Sequence, residues 1–505
     1  MAERRTAVID LGSNSFRLVV FTAGAGWWKR TDEIYEAVRI SAGLGASGEL
    51  GRKPMTRALQ TLEVFSHFCR ATGLAPADVR ALATSAIRDA ANREEFLARA
   101  RAASGLDIRV ISPQEEGRYA YLAAVNSTTL ADGAVLDLGG GSLQLVDVAD
   151  RRDRRIGSWP LGAVRMTERF LAERGPVKPK ALRPLRAHVA EALAEAPWLG
   201  EAGRRLVGTG GTVRNLASAA QAAAGLPSAG VQGFCLSRDA LADLVERLAT
   251  LPAADRGEVR GVKPARADLI LAGAVVVQGV LEAGGFDAVE VTEGGLREGV
   301  FFAAHLDGDP PLLKDVRRSS VLNLAAQYHA DPAHTEHVGA LALGLFDELA
   351  AAGLHPGEAE ERELLWAACV LHDIGMSVDY DDHHKHSRYL ILNAGLPGFA
   401  PVEVALIAQA ARYHRKGTPD LGDLAPLARP GDAERLDRLA TLLRLAEDLE
   451  RPRDQSVRAA HIAVANSSVR LDLDADGEVS VSRWAVERET ELFARAFGRR
   501  LKVTA

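Results

Sequence analysis

The strongest constraint on this chain is a turn that it contains twice. Val8-Ile9-Asp10-Leu11-Gly12-Ser13-Asn14-Ser15 and Val135-Leu136-Asp137-Leu138-Gly139-Gly140-Gly141-Ser142 share one pattern, apolar-apolar-Asp-Leu-Gly-x-x-Ser. Strand-like runs follow both, with Phe16, Leu18, Val19, Val20 and Phe21 after the first and Leu143, Leu145 and Val146 after the second. Apolar runs on either side of a glycine-rich break read as strand, tight turn, strand. Glycines let backbone N–H groups approach an anion, and an aspartate at a strand end can hold a divalent cation or position a water. Such a duplication implies two similar halves facing each other across a cleft. A third turn, Leu206-Val207-Gly208-Thr209-Gly210-Gly211-Thr212, follows a short apolar run and opens a helix-like segment. Together the three define a phosphate site more sharply than any one does.

At 505 residues the chain has room for two or three domains, and 47% hydrophobic with 25% charged residues is an ordinary globular balance. Its 61 basic and 67 acidic side chains give a formal charge of −6, so no global basic surface advertises nucleic acid or another polyanion. The longest apolar stretch, Leu269 to Leu281, is interrupted by Gln278 and too short to span a bilayer. Met1 to Arg5 runs straight into a strand, without room for a secretory signal. Cys69, Cys235 and Cys369 show neither disulfide nor zinc spacing. The expectation is a cytoplasmic protein with no membrane and no nucleic-acid partner.

Between the turns, residues 44–50 read as a flexible loop and 54–72 as an amphipathic helix with Leu59, Leu62, Phe65 and Phe68 on one face. Val79 to Thr84 and Ile108 to Ile111 read as strands. Arg88 offers a fork of donors suited to phosphate, or else a surface partner for Asp89 or Glu94. Glu115 and Glu116 are adjacent and cannot share a helix face, so at most one points into a cleft. Arg151 to Arg155 is a charge run expected to be solvated at a hairpin tip. Residues 161–195 read as helices broken at Pro176, Pro179 and Pro184, and Ala267 to Leu281 as a buried helix.

The two aspartate turns resemble the phosphate loops of the exopolyphosphatase/guanosine pentaphosphate phosphatase (Ppx/GppA) family. Further stretches carry the same resemblance: Thr84-Ser85-Ala86-Ile87-Arg88-Asp89-Ala90, Ile111-Ser112-Pro113-Gln114-Glu115-Glu116-Gly117-Arg118 and Glu293-Gly294-Gly295-Leu296-Arg297-Glu298-Gly299. It continues through Arg317-Arg318-Ser319-Ser320 and Ala326-Gln327-Tyr328-His329 to Arg412-Tyr413-His414-Arg415-Lys416, over most of the chain. The resemblance implies an α/β fold of two actin-like lobes (residues 1–125 and 126–305) around a cleft. A helical HD-like domain with a small β-containing end (306–505) would follow, and a homodimer is implied. It further implies hydrolysis of the terminal phosphoanhydride of inorganic polyphosphate, or of guanosine pentaphosphate. In that reading Asp10 and Asp137 hold Mg²⁺ or Mn²⁺, Glu116 is the general base, and Arg88 offsets charge. Ser13, Asn14, Ser15, Gly139, Gly140, Gly141 and Ser142 cradle phosphate, with Gly210 and Gly211 beside them. Arg297 and Glu298 are expected at a hinge or in a salt bridge. Gln144 stands where family members often carry an acidic residue, which puts the metal shell in question. Rival readings are a polyphosphate or alarmone sensor and a sugar-type kinase.

Asp307-Gly308-Asp309-Pro310-Pro311 marks a linker, after which helical periodicity covers 319–329, 335–353, 360–374, 387–394, 402–413 and 434–449. His337, the pair His372-Asp373, His386, His414 and Asp448 are arranged as in HD-domain metallohydrolases. The resemblance implies a second divalent metal on His337, His372, Asp373 and Asp448; the bland alternative is a relic fold whose histidines cap and pack. Arg317, Arg318, Arg412, Arg415 and Lys416 suggest a basic track for a phosphate chain. Alternation at Val469, Leu471 and Leu473, then Val479 and Val481, suggests the β-containing end.

Overall fold

The structure is a computed structural model that describes residues 3–227 and 230–504. It divides into two units, Met1–Val316 and Arg317–Ala505.

In the first unit, strands β1 (Arg4–Leu11), β2 (Phe16–Gly24), β3 (Trp27–Glu36), β4 (Val79–Ala83) and β5 (Ile108–Val110) form a sheet of order β3-β2-β1-β4-β5. A second sheet contains β6 (Gly133–Leu138), β7 (Leu143–Ala149), β8 (Arg152–Trp159), β9 (Leu206–Thr209), β10 (Cys235–Ser237) and β11 (Ala288–Val291), in the order β10-β11-β9-β6-β7-β8. Without β10, it repeats the first sheet strand for strand. The central strand pairs antiparallel with the next in each case and parallel with the fourth. This repeated order is that of two actin-like lobes. Ala7, Val8, Ile9 and Leu11 in β1, and Ala134, Val135 and Leu136 in β6, are all fully buried. Central strands covered on both faces read as continuous apolar runs. Asp10 and Asp137, only partly buried, are the breaks in those runs. Each lies at the carboxyl end of its strand, where ligands bind in open α/β sheets.

The lobes exchange helices. The Pro113–Val125 helix places Tyr121, Leu122, Ala124 and Val125 in a core with Val135, Val146, Val148 and Val207 of the second lobe. The Leu296–His305 helix returns Leu296, Val300, Phe301 and Phe302 to Val8, Val19, Phe21 and Leu82 of the first. A boundary at 125/126 and a close at 305 therefore assign each helix to the lobe it does not pack on, because chain order and core membership part company here. Where the two helices cross, a Cβ on Gly299 would collide with the Tyr119 backbone carbonyl. Gly299→Ala is expected to cost about 1–3 kcal/mol by overpacking, read as a lower melting temperature for this unit.

Other details differ from the sequence reading. Leu44–Ser47 is a short helix, and Pro179–Leu193 runs through Pro184 as one helix. Arg151 is not simply solvated: its guanidinium donates to the Leu313, Lys314 and Val125 carbonyls. Asn126 holds the same segment through Pro311 and Leu313. The stretch 307–315 thus belongs to the first unit, and the helical unit begins near 317 rather than 306.

The second unit packs helices Val316–Gln327, Pro332–Ala351, Ala359–Leu371, His383–Ala394, Pro401–Tyr413 and Asp432–Leu449 around one core. A three-stranded sheet of order β12-β13-β14 follows, from β12 (Val457–Val464), β13 (Ser468–Ala475) and β14 (Arg500–Thr504). Val469 and Leu471 of β13 are buried, as the alternation predicts, with Leu473 half-buried; Val479 and Val481 instead cap and enter the Ser480–Glu487 helix. No helix among the described residues is long and apolar enough to cross a membrane.

Candidate active site

The two duplicated turns close in the same way: Gly12 N–H donates to Ser15 O at 3.2 Å and Gly139 N–H to Ser142 O at 3.0 Å. They meet across the cleft. A Cβ on Gly141 would lie 2.8 Å from Ser13 Oγ and closer still to Ser85 Oγ, so only glycine lets the loops approach. Ser13 Oγ and Ser85 Oγ are themselves 3.1 Å apart. A cavity of ≈ 120 Å³ opens between the loops, room for several waters or a tetrahedral anion. Its lining includes Asp10, Ser13, Asn14, Ser15, Gly139, Gly140, Gly210, Gly211, Glu116 and Asp137. Gly141 and Ser142 stand just behind it.

Glu116 reaches this cavity because of how its helix starts. Ser112 caps it: the Ser112 hydroxyl accepts from Glu115 N, and the Glu115 carboxylate accepts from Ser112 N. Glu115 also pairs with Arg109 on the outside. One residue on, Glu116 turns about 100° inward and is buried. Burial pushes its carboxyl up to about 7; Arg88 works against this, and Asp137 and Asp10 add to it. Asp137 is pushed up to about 6 by burial and by Asp10, and Asp10 is raised too, chiefly by burial.

Arg88 takes a different place from the one expected. It does not line the cavity; Nη1 donates to Glu116 Oε2 at 2.9 Å and to Ile111 O at 3.0 Å. It orients the carboxylate rather than facing a phosphate. Gln144 is likewise set back. It is 1% exposed and donates to Ser142 Oγ at 2.9 Å and Ser158 Oγ at 3.2 Å. It braces the loop instead of completing a metal shell. Glu298 caps its own helix at Gly295 N.

The charge that faces the cavity comes from four arginines, Arg17, Arg214, Arg266 and Arg297. Burial lowers Arg214 to about 10, helped by the positive charges of Arg297, Arg17 and Arg266. Arg297 is 6% exposed, and its Nη1 has no hydrogen-bond partner. Cations crowded in this way call for a polyanion. A signal for them exists in the sequence. Arg17 is the cross-strand partner of Asp10, and Arg214 and Arg297 each fall in the first helical turn after a glycine pair.

Comparison with known proteins fits this geometry. The Ppx/GppA phosphatase family model matches residues 19–307, and Ppx/GppA phosphatase domain III matches 316–489. The chain belongs to the Ppx/GppA family. It is 30% identical to the Aquifex aeolicus member, over 59% of this chain and 97% of that one, with a TM-score of 0.51. An exopolyphosphatase-like protein is 27% identical over 59% and 97%, TM-score 0.54. An exopolyphosphatase from Cytophaga hutchinsonii, 22% identical over 60% and 97% with a TM-score of 0.56, shares the fold. Membership places the chain among phosphatases.

In the helical unit the structure brings together a set different from the one expected. His372 and Asp373 meet His334 and Glu447, and Asp373 also meets His383 and His414. His337, one turn beyond His334, donates from Nε2 to Val457 O at 2.9 Å. Asp448 points to Arg451 at 3.3 Å, and His386 lies outside the cluster. On a helix one residue is 100° of rotation, so Glu447 and Asp448 cannot both face one point. The basic track does not form as expected. Arg317 is engaged by Glu363 at 2.9 Å and Glu403 at 2.8 Å and stacks on Phe399, while Lys416 faces Asp382 at 3.6 Å.

Proposed function

We propose that this Ppx/GppA family phosphatase removes the terminal phosphoryl group of linear inorganic polyphosphate. The observation that supports this reading best is the convergence of four largely buried arginines on a cavity that holds one buried carboxylate aligned by an arginine. The donors fit a divalent cation: Asp10 and Asp137 face one cavity, and Asp10 adds to burial in raising the proton affinity of Asp137, a repulsion that a cation removes. Those two residues would hold Mg²⁺ or Mn²⁺, which when bound neutralises phosphate oxygens. The Ser13–Ser15 and Gly139–Ser142 loops cradle the terminal phosphate, and the arginines take the next phosphates of the chain. Glu116 accepts a proton from water as its oxygen bonds to phosphorus. The bridging P–O bond breaks, leaving orthophosphate and a chain one unit shorter.

A second reading, guanosine pentaphosphate, has one observation in its favour. No aromatic ring lines the cavity among the described residues, but Arg17 lies 4.8 Å over the Tyr35 ring, which is 37% exposed. Orthophosphate release, offered polyphosphate and guanosine pentaphosphate in parallel with Mg²⁺, decides between them. Polyphosphate is expected to be cleaved with the higher kcat/KM. Arg266→Ala is expected to raise KM for polyphosphate about tenfold or more, the worth of one charge-assisted contact of about 1.5–3 kcal/mol, with kcat less affected. Cleavage of the nucleotide alone overturns the substrate assignment, and orthophosphate release from neither substrate would leave a sensor.

A further inference from the structure

Three histidines of the helical unit hold their rings by the same device. His372 Nδ1 donates to Cys369 O at 2.7 Å, His383 Nδ1 to Tyr380 O at 2.8 Å, and His414 Nδ1 to Ala411 O at 2.6 Å. A carbonyl only accepts, so the proton sits on Nδ1 and a neutral ring presents its lone pair at Nε2. All three Nε2 atoms point at Asp373 Oδ1, at 3.7, 3.3 and 3.6 Å. His383 and His414 place Nε2 3.1 Å from Nε2, two lone pairs face to face, which a shared cation turns from repulsive to attractive. On the other side, Glu447 Oε2 lies 3.0 Å from His334 Nε2 and 3.2 Å from His372 Nε2, and His334 Nε2 lies 3.9 Å from Asp373 Oδ2.

These groups are buried, with His372 fully so, His414 at 2%, His334 at 3% and Asp373 at 8% exposure. His334 Nδ1 and Nε2, His372 Nε2, Asp373 Oδ1 and Glu447 Oε2 make no hydrogen bond. Buried polar atoms are seldom left without partners. Metal bonds of 2.0–2.2 Å place neighbouring ligand atoms about 3–3.5 Å apart; the separations here run from 3.0 to 3.9 Å, so bound ions would draw the set slightly together. Carbonyl-anchored Nδ1 atoms are also the support that ligating histidines use.

We propose that the helical unit holds two divalent first-row transition-metal ions bridged by Asp373, one on His334, His372 and Glu447, the other on His383 and His414. A mixed imidazole and carboxylate set suits ions such as Mn²⁺, Fe²⁺, Co²⁺, Ni²⁺ or Zn²⁺ over Mg²⁺. Arg453, the cation now against Asp373 Oδ2 at 2.5 Å, has a side chain 46% exposed.

The test uses the full chain, stripped with a chelator and titrated with Co²⁺ in excess Mg²⁺, which keeps the cleft aspartates occupied. Expected are two tightly bound equivalents by elemental analysis, visible absorption bands from nitrogen-ligated Co²⁺, and a rise in melting temperature. His383→Gln should keep one equivalent and Asp373→Asn fewer than one, whereas His337→Ala, outside the cluster, should keep two. Failure of the wild-type chain to bind Co²⁺, Mn²⁺ or Zn²⁺ or to shift its melting temperature overturns the proposal, whether or not the variants fold. One equivalent that is insensitive to His383→Gln overturns the bridged pair. None of these readouts depends on turnover in the cleft.

Discussion

Glu116→Gln is expected to lower kcat for orthophosphate release by about 10²–10⁴-fold, the usual contribution of a positioned general base, with KM nearly unchanged. Glutamine keeps the shape and one acceptor for Arg88 but cannot take a proton, so binding to the arginines and loops survives. The pH profile supplies a second readout. The base works ionised, and burial together with Asp137 and Asp10 holds its carboxyl at about 7 in the absence of bound cation. Log kcat/KM should therefore fall as pH drops through about 7, with the midpoint moved lower by a bound divalent cation. The residual activity of the variant should lack that limb. A variant as active as wild type would remove Glu116 from the reaction.

Asp137→Asn is expected to separate activity from stability. Turnover should fall by about 10²-fold or more, since one anionic group of the charge-neutralising site is lost. Yet in cation-free buffer at pH 7.5 the variant should melt higher than wild type by about 2 °C or more. The sign follows from linkage. The folded chain holds the Asp137 proton up to about 6, above the ordinary 3.8, so its stabilising contribution is complete at low pH and is lost as pH rises through 6. Asparagine never ionises and never meets Asp10 as a like charge. The gap should open between about pH 4 and 6 and close again when Mg²⁺ is added to wild type. A variant that melts lower at pH 7.5 would show that the Asp10–Asp137 pair is not strained.

The paired glycine turns were legible because the determinants are local: a glycine turn states its own geometry, and its repetition states the symmetry. Glu116 was legible for a similar reason, since Ser112 and Glu115 form a cap that leaves only its neighbour free. The arginine cluster was not. Arg17, Arg214, Arg266 and Arg297 come from four separated segments; the turns beside Arg17, Arg214 and Arg297 mark where to look, but nothing marks Arg266, and convergence of the four is decided by packing. Arg88 was placed in the right neighbourhood but given the wrong partner, because a guanidinium fork fits a carboxylate as well as a phosphate. In the helical unit the helices fell within a few residues of expectation, while the ligand face slipped. His334 and His337 lie one turn apart, and only the packing of the Pro332–Ala351 helix decides which of them meets His372.

The exchanged helices make the cleft a clutch. Glu116 sits on a helix whose body is embedded in the second lobe, with Gly117 against Val146 and Ile156. Arg88, which aims it, follows β4 of the first lobe. Any swing that parts the lobes draws Glu116 away from the arginine that aligns it, so that on the proposed mechanism water would be activated only while the halves are engaged. Arg165 to Asp89 at 2.8 Å and Arg39 to Asp268 at 3.0 Å, exposed ion pairs bridging the lobes, then act as friction plates whose grip weakens as salt rises.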